Sequence, residues 1–212
     1  MIRVFIVDDH AFLRRGLRDI LTDGEGITVV GEAGDYNELR TKMREVTFDV
    51  LLLDVNLPGK NGIDILKALR EENSRIRVLI LSMYPEEQYA LRALKAGAYG
   101  YINKASAPEQ LLDAVAQVMA GRKFITPEIA QSLAQNLAGD HESEDLPHTK
   151  LSDREFQTLC LMASGKRLAD IAVTLSLSPK TVSVYRARIL EKMGMTNNAE
   201  LTHYALKHNL VE

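Results

Sequence analysis

The sequence predicts an α/β fold followed by an all-α one: a doubly wound, five-stranded parallel sheet, then a small four-helix domain. Three observations carry this expectation. Over the first ~125 residues, apolar strand-like runs alternate with amphipathic helical patterns, the signature of a parallel sheet built from βα units. Two of the runs, VLLLD and VLIL, are continuously apolar between polar flanks, as in strands covered on both faces. From Leu151 onward no strand pattern appears and only the helical period remains.

The predicted strands are Ile2–Val7, Ile27–Glu32, Asp49–Asp54, Arg77–Leu81 and Gly100–Ile102. Between them, Leu13, Leu17, Ile20 and Leu21 fall on one helical stripe, as do Leu91 and Leu94 with Ala90 and Ala93. Leu111, Leu112, Val115, Val118 and Met119 repeat the pattern after the last strand. Thr126-Pro127 pairs an N-cap residue with proline at the first helical position and opens a helix to about Leu137. The acidic, polar segment GDHESEDLPHTK, Gly139–Lys150, reads as a linker. The chain therefore divides into a sheet domain over 1–122, a helix and acidic linker over 123–150, and a helical domain over 151–212. In that last part Ser152 and Glu155 form a capping-box signature, and Gly165 stops the helix they open. A short helix spans Leu168–Leu175, Ser178-Pro179 starts a third that Gly194 stops near Met193, and Asn197 opens a fourth.

Composition narrows the function classes. The 212 residues are 46% hydrophobic and 26% charged, ordinary for domains that bury their own cores. A single cysteine, Cys160, excludes an intramolecular disulfide and a cysteine-based zinc site, and it falls on an apolar helix stripe. The five histidines are dispersed, without metal-ligand spacing. No apolar run approaches the ~20 residues that span a bilayer, and MIRVFIVDDH meets two acids too early for a signal peptide. A cytoplasmic setting without membrane partners is expected. The net charge of −3 argues against nucleic acid until the chain is divided. Residues 148–212 carry nine Lys/Arg against six acids, +3, while the remainder carries 17 against 23, −6.

In a doubly wound sheet, chemistry sits beyond the carboxyl ends of the strands. Here the first strand ends in Asp8-Asp9, the third in Asp54 and the fourth in Ser82, and Lys104 follows the fifth. Neighbouring strands lie ~4.8 Å apart, so these side chains can share one crevice. Three carboxylates so close repel unless a cation joins them, and Mg²⁺ suits hard oxygen ligands shared with phosphate. A carboxylate beside such an ion can act as nucleophile toward a phosphoryl group, with Lys104 and the Ser82 hydroxyl on the phosphoryl oxygens.

At VDDH, LLLDVNLPGKNG, LS and GAYGYINK the sequence resembles the receiver domain of two-component response regulators, a flavodoxin-like fold. The resemblance covers about the first 120 residues. It implies Asp54 as phosphoacceptor, Asp8 and Asp9 as metal-binding acids, Asn56 as a backbone-carbonyl metal ligand, and Lys104 with Ser82 as the phosphoryl-contacting pair. It also implies that Tyr101 turns inward on phosphorylation; read alone, Tyr101 is equally a half-buried strand aromatic with its hydroxyl in water. Aspartate-nucleophile, Mg²⁺-dependent phosphohydrolases offer a rival reading. They need a second Asp two residues after the first as general acid/base, and that position holds Asn56.

The segment RLADIAVTLSLSPKTVSVYRARILEKMG reads as helix, turn, helix. Val182, Tyr185, Ile189 and Met193 share a narrow inward stripe, which leaves Lys180, Ser183, Val184, Ala187 and Glu191 opposite, flanked by Thr181 and Arg188. Small apolar groups bordered by cations and hydroxyls suit a major groove. From LSDRE through this segment, the chain resembles the LuxR-type DNA-binding domain; with the receiver, this is the pattern of NarL/FixJ-family regulators. The ending NAELTHYALKHNLV is similar to the branch that includes the GacA and UvrY regulators. The resemblance implies a sensor histidine kinase, double-stranded promoter DNA and a homodimer as partners, with Leu201, Tyr204 and Ala205 at the dimer contact; Leu201 equally suits packing within its domain. Where several family members carry Lys at base-reading places, this chain has Ser183 and Ala187, which shifts the expected target toward A·T-rich or shape-read DNA.

Overall fold

The computed structural model describes all residues except 73–74, 85, 138–145, 209 and 212; the side chains at 87, 88, 132 and 135–137 also lie outside the description. It divides into two compact units, Met1–Ala134 and Gln135–Glu212. Most of the expected acidic linker, with His141, lies outside the described residues.

The first unit holds a five-stranded, all-parallel sheet in the order β2-β1-β3-β4-β5: β1 Ile2–Val7, β2 Ile27–Ala33, β3 Val50–Asp54, β4 Arg77–Ser82 and β5 Gly100–Asn103. β3 is buried at every position and β4 at all but its first, as their unbroken apolar runs require. β4 runs one residue beyond its expected end because Ser82 pairs with Asn103 and its carbonyl accepts from the Lys104 amide. Helices α1 Ala11–Thr22, α2 Tyr36–Lys42, α3 Gly62–Glu71 and α4 Glu86–Lys95 connect the strands, and α5 Ala107–Met119 follows β5. Leu17 and Leu21 of α1, and Leu111, Val115 and Val118 of α5, meet Val4, Ile6, Leu52 and Leu81 in one buried cluster. The chain order reverses between β1 and β3, so their carboxyl ends flank the switch-point crevice.

The loop after β3 is shaped by two glycines. Gly59 turns the chain at φ +75°, with the Lys60 amide donating to the Pro58 carbonyl. At Gly62 a Cβ would lie 2.1 Å from the Asp54 carbonyl oxygen, so the start of α3 rests directly on the strand end. Asn61 caps α3 by accepting from the Ile63 amide at 2.8 Å.

α6, Pro127–Leu137, follows α5 and begins within the first unit. The second unit contains a 3-10 turn, Pro147–Lys150, and helices α7 Asp153–Ala163, α8 Leu168–Thr174, α9 Pro179–Met193 and α10 Asn198–Lys207. The capping box forms as its sequence signature requires: Ser152 accepts from the Glu155 amide, and Glu155 from the Ser152 amide. α9 is capped by Ser178 and closed by Gly194 at φ +64°. α7 packs against α9 and α10, and α8 against α9. Phe156, Leu159, Ile171, Leu175, Val182 and Ile189 are buried there, with Cys160 buried as a small apolar group.

Candidate functional site

The predicted strand-end residues converge. Lys104 Nζ lies 2.6 Å from Asp8 Oδ2 and 2.8 Å from Asp54 Oδ2, and all three side chains are buried. Asp9 stands at the pocket's open side. Carboxylate oxygens of Asp8, Asp9 and Asp54 and a ring nitrogen of His10 all lie within 4.8 Å of one another. The strand-to-helix loop is held by its own acids: the His10 amide donates to Asp8 Oδ1 at 2.8 Å, and the Asn56 amide to Asp54 Oδ1 at 3.1 Å. Arg14 donates to the Asp8 carbonyl at 2.6 Å, fixing the first turn of α1 on the strand end.

Burial is the largest influence on Asp54 and raises its pKa; Asp8 adds to this and Lys104 opposes it. Lys104 is also penalised by burial, yet Asp54 and Asp8 together outweigh that and hold its ammonium above the usual range. The two directions are consistent, because the lysine faces two opposite charges while Asp54 faces one opposite and one like charge. Three carboxylates and one ammonium leave a formal −2, the complement of a divalent cation, and the donors are the hard oxygens that Mg²⁺ takes.

Ser82 is buried at the end of β4, and its Oγ accepts from the Tyr84 amide at 3.1 Å. Tyr101 is fully buried, and its hydroxyl donates to the Tyr84 carbonyl at 2.8 Å; the Asn103 side-chain amide also donates there, at 3.3 Å. The alternative of a half-buried ring with its hydroxyl in water is therefore not the arrangement present. Burial pushes the phenol far above its ordinary pKa, which keeps it a donor at physiological pH. The Tyr84 ring stacks on Tyr89 of α4 at 4.6 Å.

On α9, Val182, Ile189 and Met193 face inward, and Tyr185 is half-buried. Lys180, Ser183, Val184, Ala187, Arg188 and Glu191 are exposed, and Thr181 is half-exposed. The helix's four cations divide into two kinds. Arg186 donates to Asn198 at 2.7 Å, and Lys192 pairs with the buried Glu155 at 2.6 Å. Among the described residues, Lys180 and Arg188 carry no such partner. On α10, Leu201 and Ala205 are buried. Tyr204 keeps partial exposure, and its hydroxyl lies 2.8 Å from His148 Nδ1, with the His208 ring 4.2 Å away.

Comparison with known proteins decides the family. The description "Response regulator receiver domain" matches residues 4–116, and "Bacterial regulatory proteins, luxR family" matches residues 149–205. The response regulator GacA of Pseudomonas aeruginosa is 37% identical over all of this chain and 99% of its own length. The chain is a NarL/FixJ-family response regulator. The regulator is also 35% identical to UvrY of Escherichia coli K12, across 99% of this chain and 96% of that protein. Among solved structures, RcsB of Salmonella typhimurium matches at 28% identity and a TM-score of 0.59, covering 96% of the regulator and 97% of that chain. RcsB bound to the promoter P1flhDC in the presence of phosphomimetic BeF3- matches at 29% and 0.60, with the same coverage.

Four features of the regulator had no sequence signal of their own. Tyr84 acts through its backbone, which any residue supplies. The pairing of Glu155 with Lys192 and of Arg186 with Asn198 spans 37 and 12 residues, beyond any local pattern. His10 has no metal-ligand spacing to the other histidines, yet its ring lies 2.7 Å from Asp9 because it follows the strand end directly.

Proposed function

We propose that Asp54 accepts a phosphoryl group from a sensor histidine kinase and thereby controls sequence-specific DNA binding by α9. The observation that carries this reading is the buried Lys104 ammonium bridging Asp8 and Asp54, with Asp9 at the opening. Asp8, Asp9, Asp54 and the Asn56 backbone carbonyl are the groups that would hold Mg²⁺, which would neutralise charge on the phosphoryl oxygens. Asp54 attacks phosphorus, its O–P bond forms as the donor's N–P bond breaks, and the imidazole leaves. Lys104 then exchanges an Asp54 oxygen for a phosphoryl oxygen, and the Ser82 hydroxyl donates to another. Asn56 supports retention of the acyl phosphate over turnover, because its amide is no general acid or base.

The exposed Lys180 and Arg188, with Thr181, Ser183, Val184 and Ala187, form the DNA face; the two free cations serve phosphates. Of the residues expected at the homodimer contact, Leu201 and Ala205 anchor α10 and Tyr204 retains surface to offer a second copy. The regulator works where its kinase presents phosphohistidine, in the cytoplasm; among the described residues no helix is long and apolar enough to cross a membrane.

The test is phosphorylation by labelled acetyl phosphate with Mg²⁺. Asp54→Asn should abolish labelling and its stimulation of DNA binding; undiminished labelling overturns Asp54 as acceptor. Lys180→Ala with Arg188→Ala should abolish mobility shifts, and unchanged shifts overturn α9 as the DNA-facing helix.

A further inference from the structure

We infer that α9 reads an A·T pair, with Val184 against the thymine methyl and the Ser183 hydroxyl accepting from the adenine N6 amine. This rests on the DNA-binding reading above and adds which bases are read and by which atoms. Val184 is 42% exposed on a face otherwise made of Lys180, Ser183, Ala187, Arg188 and Glu191. A branched hydrocarbon so placed gains only from a hydrocarbon partner, and in the major groove that partner is the thymine C5-methyl group.

Ser183 sets the second half of the code. Its hydroxyl donates to the Pro179 carbonyl at 3.0 Å, so its hydrogen is committed and its lone pairs remain. Major-groove donors are adenine N6 and cytosine N4, and a thymine under Val184 brings adenine as its partner. Guanine calls for a paired donor such as Arg or Lys. Arg186 is held by Asn198, Lys192 by Glu155, and Ala187 offers no donor. Lys180 and Arg188 sit on either side of Val184 on the wheel, where phosphates flank a groove. Glu191, farther along the same face, repels phosphate and confines reading to the first two turns.

The experiment uses the full chain treated with acetyl phosphate and Mg²⁺ to select duplexes from a random-sequence pool. In the recovered duplex each thymine is replaced in turn by deoxyuridine, which removes only the methyl. One thymine per half-site should then bind about fourfold more weakly, about 0.8 kcal/mol for one buried methyl. Val184→Ala should lose that sensitivity, binding thymine and deoxyuridine duplexes alike, while its circular dichroism stays unchanged. Replacing the partner adenine by purine, which lacks the N6 amine, should weaken the parent protein and leave Ser183→Ala unaffected. Half-sites with G·C at the contacted position, no deoxyuridine-sensitive thymine, or a penalty that persists in Val184→Ala would each overturn the inference. Binding to unselected duplex without any enriched sequence overturns base reading alone; no binding to any duplex overturns the DNA-binding reading with it.

Discussion

Asp54 shows what burying a carboxylate does to the protein that carries it. Its folded-state pKa is raised, chiefly by burial, so the stability it contributes is complete below the ordinary carboxylate range and is lost as pH rises through the raised value. At neutral pH and without metal, its ionised form therefore works against folding. Asp54→Asn should raise the thermal midpoint in chelator at pH 7, and the gain should vanish as the pH approaches 4. The same sign governs the ion: protons compete for Asp54 above the usual carboxylate range, so Mg²⁺ affinity, read by calorimetry, should fall as pH drops through the raised value. Asp49 has the opposite sign. Its bidentate pairing with Arg3 lowers its pKa to about 2, so its contribution is present above the ordinary range and is lost between about pH 4 and 2. The positions of Asp8, Asp54, Ser82 and Lys104 were legible because each strand end is marked by a polar residue after an apolar run. Their electrostatics were not, because burial depends on what the rest of the chain places around them.

At the scale of elements, the long apolar strands and the helices α1 and α4–α10 were readable, since each carries its own period or punctuation; α3 was not singled out, although Asn61 caps it. α2 was not singled out: at seven residues with only Leu39 buried, it is too short for a stripe to emerge. The turn between α8 and α9 holds a local strain, with Ser176 at φ +53°. Ser176→Gly should stabilise the helical unit by about 0.5–1 kcal/mol, measured by thermal unfolding. The ion pair between Lys192 and Glu155 ties the end of α9 to the start of α7. Burial pushes Glu155 up, but Lys192 and the Ser152 amide outweigh it and hold the carboxyl below its ordinary range. Lys192→Met should therefore destabilise the unit above pH 5, by about 1–3 kcal/mol for leaving a buried acceptor without its cation, and by less as pH falls through the ordinary range of a glutamate.

The whole molecule joins an acidic part at −6 to a helical part at +3, and the total of −3 describes neither. The two fold classes were legible from the change of hydrophobic period, from strands alternating with helices to the helical repeat alone. What each part recognises was legible only through residues at particular positions, since charge alone cannot separate a DNA face from a solvated one. With Lys180 and Arg188 as the two cations of α9 left without a partner among the described residues, each monomer makes few phosphate contacts. DNA affinity of the full chain should fall with salt, and Lys180→Ala or Arg188→Ala should each lessen the slope of log K against log salt by about one per copy bound. Paired half-sites then become necessary for tight binding, which titration against single and double half-sites will read.

The Tyr84 backbone has a consequence for how durable the link between β4 and β5 is. Its amide serves Ser82, at the end of β4, and its carbonyl serves Tyr101, in β5. Tyr84 makes both contacts with its own main-chain atoms, so changing its side chain leaves them uncut. Sequence drift at position 84 can change what stacks on Tyr89, yet the message itself is written in the backbone. At position 84 itself, an amide-to-ester replacement removes the donor to Ser82 and leaves the carbonyl intact, while Ser82→Ala or Tyr101→Phe cuts one contact from its far side.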